Sequence, residues 1–117
     1  MTKAIRIHKN GGPEVLVWET VEVANPAKGQ VRLAQTACGL NYIDVYGRTG
    51  LYPAGELPAI LGMEAAGIVD AVGEGVESVV AGDRVAYPMQ LGAYAEARLI
   101  DAKHLLKIPD NISDQTA

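Results

Sequence analysis

Leu61-Gly62-Met63-Glu64-Ala65-Ala66-Gly67-Ile68-Val69-Asp70-Ala71-Val72-Gly73 is the stretch on which the fold turns. From Ala65 to Val72 the residues are small or β-branched, the composition of a tightly packed strand. Glycine punctuates both sides, at Gly62 and again at Gly73 and Gly75, so a short apolar run is bounded by turn signals. Such a run reads as a strand, because a helix of that length would lack caps and a 3.6-residue stripe.

The same rhythm continues in both directions. Toward the C-terminus, Gly73-Glu74-Gly75-Val76 and Gly82-Asp83-Arg84-Val85 read as turns flanking Val79 and Val80, and a last strand fits 93–100. Toward the N-terminus, a strand over 31–37 follows the Asn25-Pro26-Ala27-Lys28-Gly29 turn, and another spans 15–23. Asn10-Gly11-Gly12-Pro13 is a turn cluster, and Ile5 and Ile7 alternate with Arg6 and His8 in a first strand ending at Lys9. Only 41–46 changes texture, with short-helix character before Gly47. The segment 51–58 carries two prolines and is expected to be a surface loop. The expectation is one mainly β domain without repeats or low-complexity segments.

The 117 residues suffice for a single core. No apolar run approaches the roughly 20 residues that span a bilayer, and Met1-Thr2-Lys3-Ala4-Ile5-Arg6 lacks the apolar segment of a secretory signal. A soluble, cytoplasmic protein without membrane partners is expected. Ten Lys and Arg against 14 Asp and Glu are scattered along the chain. Nucleic-acid binding would need a basic stripe and is excluded on that ground. One cysteine, Cys38, can form neither an internal disulfide nor a four-cysteine zinc site. Its apolar surroundings predict an inert, buried thiol. Near the end, Pro109-Asp110-Asn111-Ile112 reads as a loop and Ser113 as a helix N-cap with Asp114 in the first turn. A helix start without its helix predicts that the native chain continues past Ala117.

Two stretches carry candidate chemistry. The first, from Gly39 to Pro53, gathers the Asn41 amide, the Asp44 carboxylate and the phenols of Tyr42, Tyr46 and Tyr52. Such groups can orient a carbonyl and donate to developing negative charge. Tyrosines also commonly pack with the hydroxyl at the surface, and spacing alone leaves both uses open. Tyr87, outside this group, is expected to be an ordinary packing tyrosine. The second stretch surrounds Glu64, whose small apolar neighbours predict a poorly solvated carboxylate needing a partner. Gly73-Glu74-Gly75-Val76-Glu77-Ser78 begins like a dinucleotide fingerprint but has Ser78 at the third glycine and lies between strands. Its glycines are expected to serve turns and close packing.

Taken in order, five motifs bring a family into view. Gly11-Gly12-Pro13-Glu14-Val15-Leu16, Gly39-Leu40-Asn41-Tyr42-Ile43-Asp44, Gly62-Met63-Glu64-Ala65-Ala66-Gly67-Ile68-Val69, Gly82-Asp83-Arg84-Val85 and Gly92-Ala93-Tyr94-Ala95-Glu96 resemble the zinc-free NADPH:quinone oxidoreductases of the medium-chain dehydrogenase/reductase superfamily, the zeta-crystallin-like group. The resemblance covers essentially the whole chain. It implies a GroES-like, partly open β-barrel with short helices, spanning 1–117 as the N-terminal catalytic domain. A Rossmann domain that holds most of the cofactor would follow it.

The resemblance also implies a mechanism and a site. NADPH would be the cofactor, and hydride would pass to a quinone or another electron-poor conjugated carbonyl. Asn41, Asp44 and Tyr46 would face the nicotinamide, with Asn41, Tyr46 and Tyr52 in catalytic roles and Tyr52 lining the substrate side. The zinc alcohol dehydrogenases of the superfamily carry a cysteine where this chain has Asn41 and a histidine where it has Met63. Amide and thioether are poor zinc ligands, and the four-cysteine lobe is missing between Arg84 and Tyr94, so no metal is expected. A full-length homodimer is implied. Two alternatives remain: a zinc-free alcohol or enoyl reductase of the same superfamily, and a non-catalytic GroES-like binding module.

Overall fold

The computed structural model describes residues 2–51 and 56–117. Among these residues lie eight strands: β1 (Thr2–Ile7), β2 (Val17–Val21), β3 (Gln30–Cys38), β4 (Ala59–Ile60), β5 (Ala65–Val72), β6 (Arg84–Tyr87), β7 (Ala97–Asp101) and β8 (Leu106–Lys107). One helix, α1 (Tyr42–Thr49), follows β3, and short 3-10 turns cover Pro13–Val15 and Ala102–His104. The mainly β expectation holds, and β5 has the predicted bounds.

Every strand pairing is antiparallel. One sheet runs β2-β1-β4 and the other β7-β3-β5-β6-β8. Each sheet stays open rather than closing on itself. The two are stitched by the segment ahead of β7, where Ile5 N donates to Tyr94 O at 2.8 Å and Gln35 N to Glu96 O at 2.9 Å. An isolated bridge pairs Ala4 with Ala95. The last strand predicted over 93–100 therefore begins later, at Ala97, because 93–96 leaves the larger sheet to make these links.

Two apolar clusters lie beneath the sheets. Val31, Leu33, Val69, Val85, Tyr87 and Ile100 form the larger, and Ile7, Val15, Ala59 and Leu61 the smaller. The alternation of β3 explains the first, since Val31 and Leu33 point inward while Ala34, Thr36 and Cys38 point out. Cys38 is thus exposed rather than buried, a correction that follows from strand parity. Strand β6 is a second departure from expectation. Its Arg84 and Val85 continue a Gly-Asp turn, yet Val85 and Tyr87 alternate inward against β5.

Glycine lets the central strands approach. A Cβ on Gly67 would lie 2.5 Å from the Ala34 carbonyl oxygen, and one on Gly73 only 2.0 Å from that of Ala27. The fingerprint-like loop thus uses its first glycine for backbone packing.

Candidate active site

Helix α1 presents the predicted residues. It starts at Asn41, whose extended backbone (φ −131°, ψ 151°) makes it the N-cap, and stops at Gly50, which adopts φ +90°. Asn is among the preferred N-caps, and glycine takes the left-handed stop without a Cβ clash. Gly47, expected to follow the helix, lies inside it and is buried.

Asn41 is exposed at the helix start, and Tyr46 sits one turn further on, half-buried. Tyr42 and Tyr46 pack edge to face, with centroids 5.3 Å apart. Asp44 points elsewhere. At 8% exposure it is the only buried charged side chain among the described residues. Its Oδ2 accepts the backbone N–H of Asn41 at 3.1 Å, one arm of a capping box, and the Tyr94 hydroxyl also donates to it. Its Oδ1 is buried without a hydrogen-bond partner among the described residues. The Tyr94 hydroxyl has its pKa pushed well above the usual phenol value, first by desolvation and then by the Asp44 carboxylate. Tyr52 lies outside the described residues.

Two clefts flank the last residues of β3. A cleft of about 360 Å³ is lined by Gly39, Glu64, Tyr87 and Pro88 on one side of Cys38. A more apolar one of about 500 Å³ lies on the other side, against Ile5, Trp18, Leu40 and Tyr94. The structure therefore brings Asp44, Tyr94 and Asn41 together, while Asn41, Asp44 and Tyr46 border neither cleft directly. Tyr94 escaped the sequence search for chemistry because it lies 50 residues from Asp44. Its presence in the Gly92–Glu96 motif was the available signal. Trp18, the only tryptophan and 57% exposed, gave none beyond its rarity.

Two expectations need revision here. Glu64 is exposed at the rim of the smaller cleft, not poorly solvated. It precedes β5, and the chain turns its side chain out across Gly39, where a Cβ would meet Glu64 Oε1 at 2.2 Å. The Cys38 thiol, though exposed, has its pKa raised, first by desolvation and then by the negative charge of Asp44. That suppresses the thiolate: partial desolvation, helped by the Asp44 charge, favours the inert thiol even at this exposed position.

The donor set around α1 decides which groups would fit. An exposed amide and a phenol suit a carboxamide or a carbonyl oxygen. No three His, Cys, Asp or Glu side chains among the described residues gather as a metal site. Asn41 and Met63, at the positions a zinc enzyme would use, offer an amide and a thioether, so the residues present do not fit a catalytic zinc.

The alcohol dehydrogenase GroES-like domain family matches residues 27–110. The chain is 48% identical over 120 aligned positions to the quinone oxidoreductase of Salmonella typhimurium, covering all of this chain and 36% of that protein. It is 46% identical to the 2-haloacrylate reductase of a Burkholderia species, covering 96% of this chain and 35% of that one. Among solved structures, Escherichia coli quinone oxidoreductase complexed with NADPH superposes with a TM-score of 0.93 at 46% identity, over 98% of this chain and 35% of that one. The chain spans about a third of the length of these relatives.

Proposed function

The chain belongs to the alcohol dehydrogenase GroES-like domain family, and we propose that it is the N-terminal, acceptor-facing part of a zinc-free, NADPH-dependent quinone oxidoreductase. The observation that carries this is the exposed Asn41 at the start of a helix held in place from behind. The likeness to quinone oxidoreductases along the whole chain supplies the reaction class. A nucleotide-binding domain following Ala117 completes the enzyme in this proposal, as the relatives' greater length supports. A cytoplasmic homodimer with no nucleic-acid or membrane partner belongs to the same proposal.

When bound, the nicotinamide supplies the hydride. The protein's part is positioning and charge stabilisation. In this proposal the Asn41 amide donates to the acceptor oxygen as negative charge develops there. The Tyr46 hydroxyl hydrogen-bonds the carboxamide, and Tyr52 bounds the acceptor side. Asp44, which the resemblance would set facing the nicotinamide, acts in this proposal through the helix start that its buried carboxylate supports. A quinone is already electrophilic, so a hydrogen-bond donor can serve where an alcohol–aldehyde pair would require a Lewis acid. Zinc does not enter, given the donors at Asn41 and Met63.

The test is NADPH oxidation by the full-length protein with 1,4-benzoquinone and 1,4-naphthoquinone, together with metal analysis of chelator-free enzyme. Turnover of these quinones with well under one zinc per chain is expected. Turnover of a simple aldehyde but no quinone, or near one zinc per chain, overturns the proposal. The likeness to 2-haloacrylate reductase favours one second reading, an acceptor whose C=C bond is conjugated to a carboxylate. A 2-haloacrylate in the same assay separates the two.

A further inference from the structure

Two motifs far apart in the sequence converge on one carboxylate oxygen. Asp44 Oδ2 receives the Tyr94 hydroxyl and the Asn41 backbone N–H, the latter at 3.1 Å. Oδ1 is buried without a partner among the described residues, so among them these two donors alone bind the carboxylate. A buried anion is stabilised chiefly by the hydrogen bonds it accepts, and losing one of two is felt strongly by the other.

Tyr94 is well placed to set that geometry. Its own backbone is pinned on both sides, accepting from Ile5 N at 2.8 Å and donating to Leu61 O at 2.9 Å. Its ring lies against Gly62, where a Cβ would come within 2.6 Å of Cδ1. Gly62 sits at φ +94°, a conformation that favours glycine and leaves the space the ring occupies. The hydroxyl thus reaches α1 from a backbone held by β1 and by the segment after β4.

We propose that Tyr94 is a positioning residue for the reductase reaction, fixing the helix start through Asp44 and so aiming the Asn41 amide at the acceptor. The inference rests on the site assigned to Asn41 above. Tyr94 touches neither acceptor nor nicotinamide. Its effect travels through one carboxylate to the backbone that carries the Asn41 side chain. Removing the hydroxyl leaves Asn41 present but misaimed, which should be read in turnover more than in cofactor affinity.

The experiment uses the full-length enzyme with benzoquinone and NADPH. Tyr94→Phe, Asn41→Ala and the double variant are compared, with Asp44→Asn as a second break in the same relay. Asn41→Ala and Tyr94→Phe are each expected to lower kcat by about ten-fold, and the KM for NADPH to stay within about two-fold. The double variant should be no slower than Asn41→Ala alone, since a positioning residue has nothing left to position. Amide exchange at Asn41, followed by NMR or mass spectrometry, should accelerate in Tyr94→Phe and in Asp44→Asn. Losses that multiply in the double variant, or an Asn41 amide that exchanges as in the parent, overturn the role of Tyr94. An Asn41→Ala enzyme with parental turnover overturns the site assignment itself, and the two failures are distinct.

Discussion

Tyr87 is 2% exposed, and its hydroxyl donates to Gln35 Oε1 while accepting from Arg98 Nη1 at 3.1 Å. The Arg98 guanidinium also lies over the ring, 5.1 Å from its centroid. Gln35 in turn donates to the carbonyls of Ala93 and Ala95 at 3.0 and 2.8 Å. The phenol is therefore a polar strut inside the core, and desolvation raises its pKa above the usual value. Tyr87→Phe should cost about 1–3 kcal/mol by leaving Gln35 and Arg98 short of a partner, with turnover of the full-length enzyme nearly unchanged. Tyr46→Phe should do the reverse, lowering turnover roughly ten-fold with little change in stability. Denaturant melts and steady-state kinetics on the same two variants check the dissociation. Equal effects on both readouts would contradict it.

Among the elements, β5 depends most on small residues. Gly67→Ala should cost about 1–3 kcal/mol, because the new methyl would press on the Ala34 carbonyl of a paired strand. At Gly75 (φ +83°) the space is open and only the backbone conformation is at stake. Gly75→Asn should therefore be tolerated within about 1 kcal/mol, since asparagine visits that region readily. Urea midpoints distinguish the two positions. At the other end, the turn after β8 is clamped to the larger sheet. Asp114 Oδ2 accepts from Thr36 Oγ1 at 2.6 Å, and Oδ1 from Arg84 Nη2 at 2.7 Å. The Thr36 hydroxyl, and then Arg84, hold the Asp114 carboxyl below the usual carboxylate value. The unfolded chain takes up that proton at a higher pH than the folded one. The clamp is thus fully effective above about pH 4 and is lost as pH falls through the lowered value. Asp114→Asn should lower Tm at pH 7, and its difference from the parent should shrink as the pH falls below about 4. A constant Tm difference across that range would refute the assignment.

For the molecule as a whole, the issue is whether two open sheets behave as one unit. The 93–96 segment ties the smaller sheet to the larger through its hydrogen bonds to Lys3, Ile5, Leu61 and Gln35. Those links join β1, the middle strand of the smaller sheet, to β3 of the larger, so unfolding should be a single transition. Leu33→Ala and Leu61→Ala should each cost about 2–5 kcal/mol and shift that one transition without splitting it. Calorimetry showing two transitions in either variant would mean that the sheets fold separately. The proposed division of labour with a nucleotide-binding domain makes a further prediction. This chain alone should bind NADPH weakly or not at all, because its glycine loop is spent on backbone contacts. Calorimetric binding at micromolar affinity or tighter would place the cofactor site within the first 117 residues.

By itself the sequence determined the class, the central strand and the short helix, because these depend on local composition. Ala65 to Val72 reads as a packed strand from its composition, and 41–46 reads as helical, although the helix runs on through Gly47 to stop at Gly50. The five ordered motifs placed the chain among the GroES-like domains for the same reason, since each is a turn or close approach written in consecutive residues. Only the tertiary structure decided how the side chains of those motifs meet. The resemblance implies a nicotinamide-facing Asp44; that its carboxylate is bound by Tyr94, 50 residues away, is visible only in the fold. Cys38 and Glu64 read as buried from their neighbours, yet strand parity and a turn set both outside. Strand β6 was hidden by the turn that begins it. In each case the deciding partner lies across a sheet, and hydrogen bonds between distant strands leave no trace in the order of neighbouring residues.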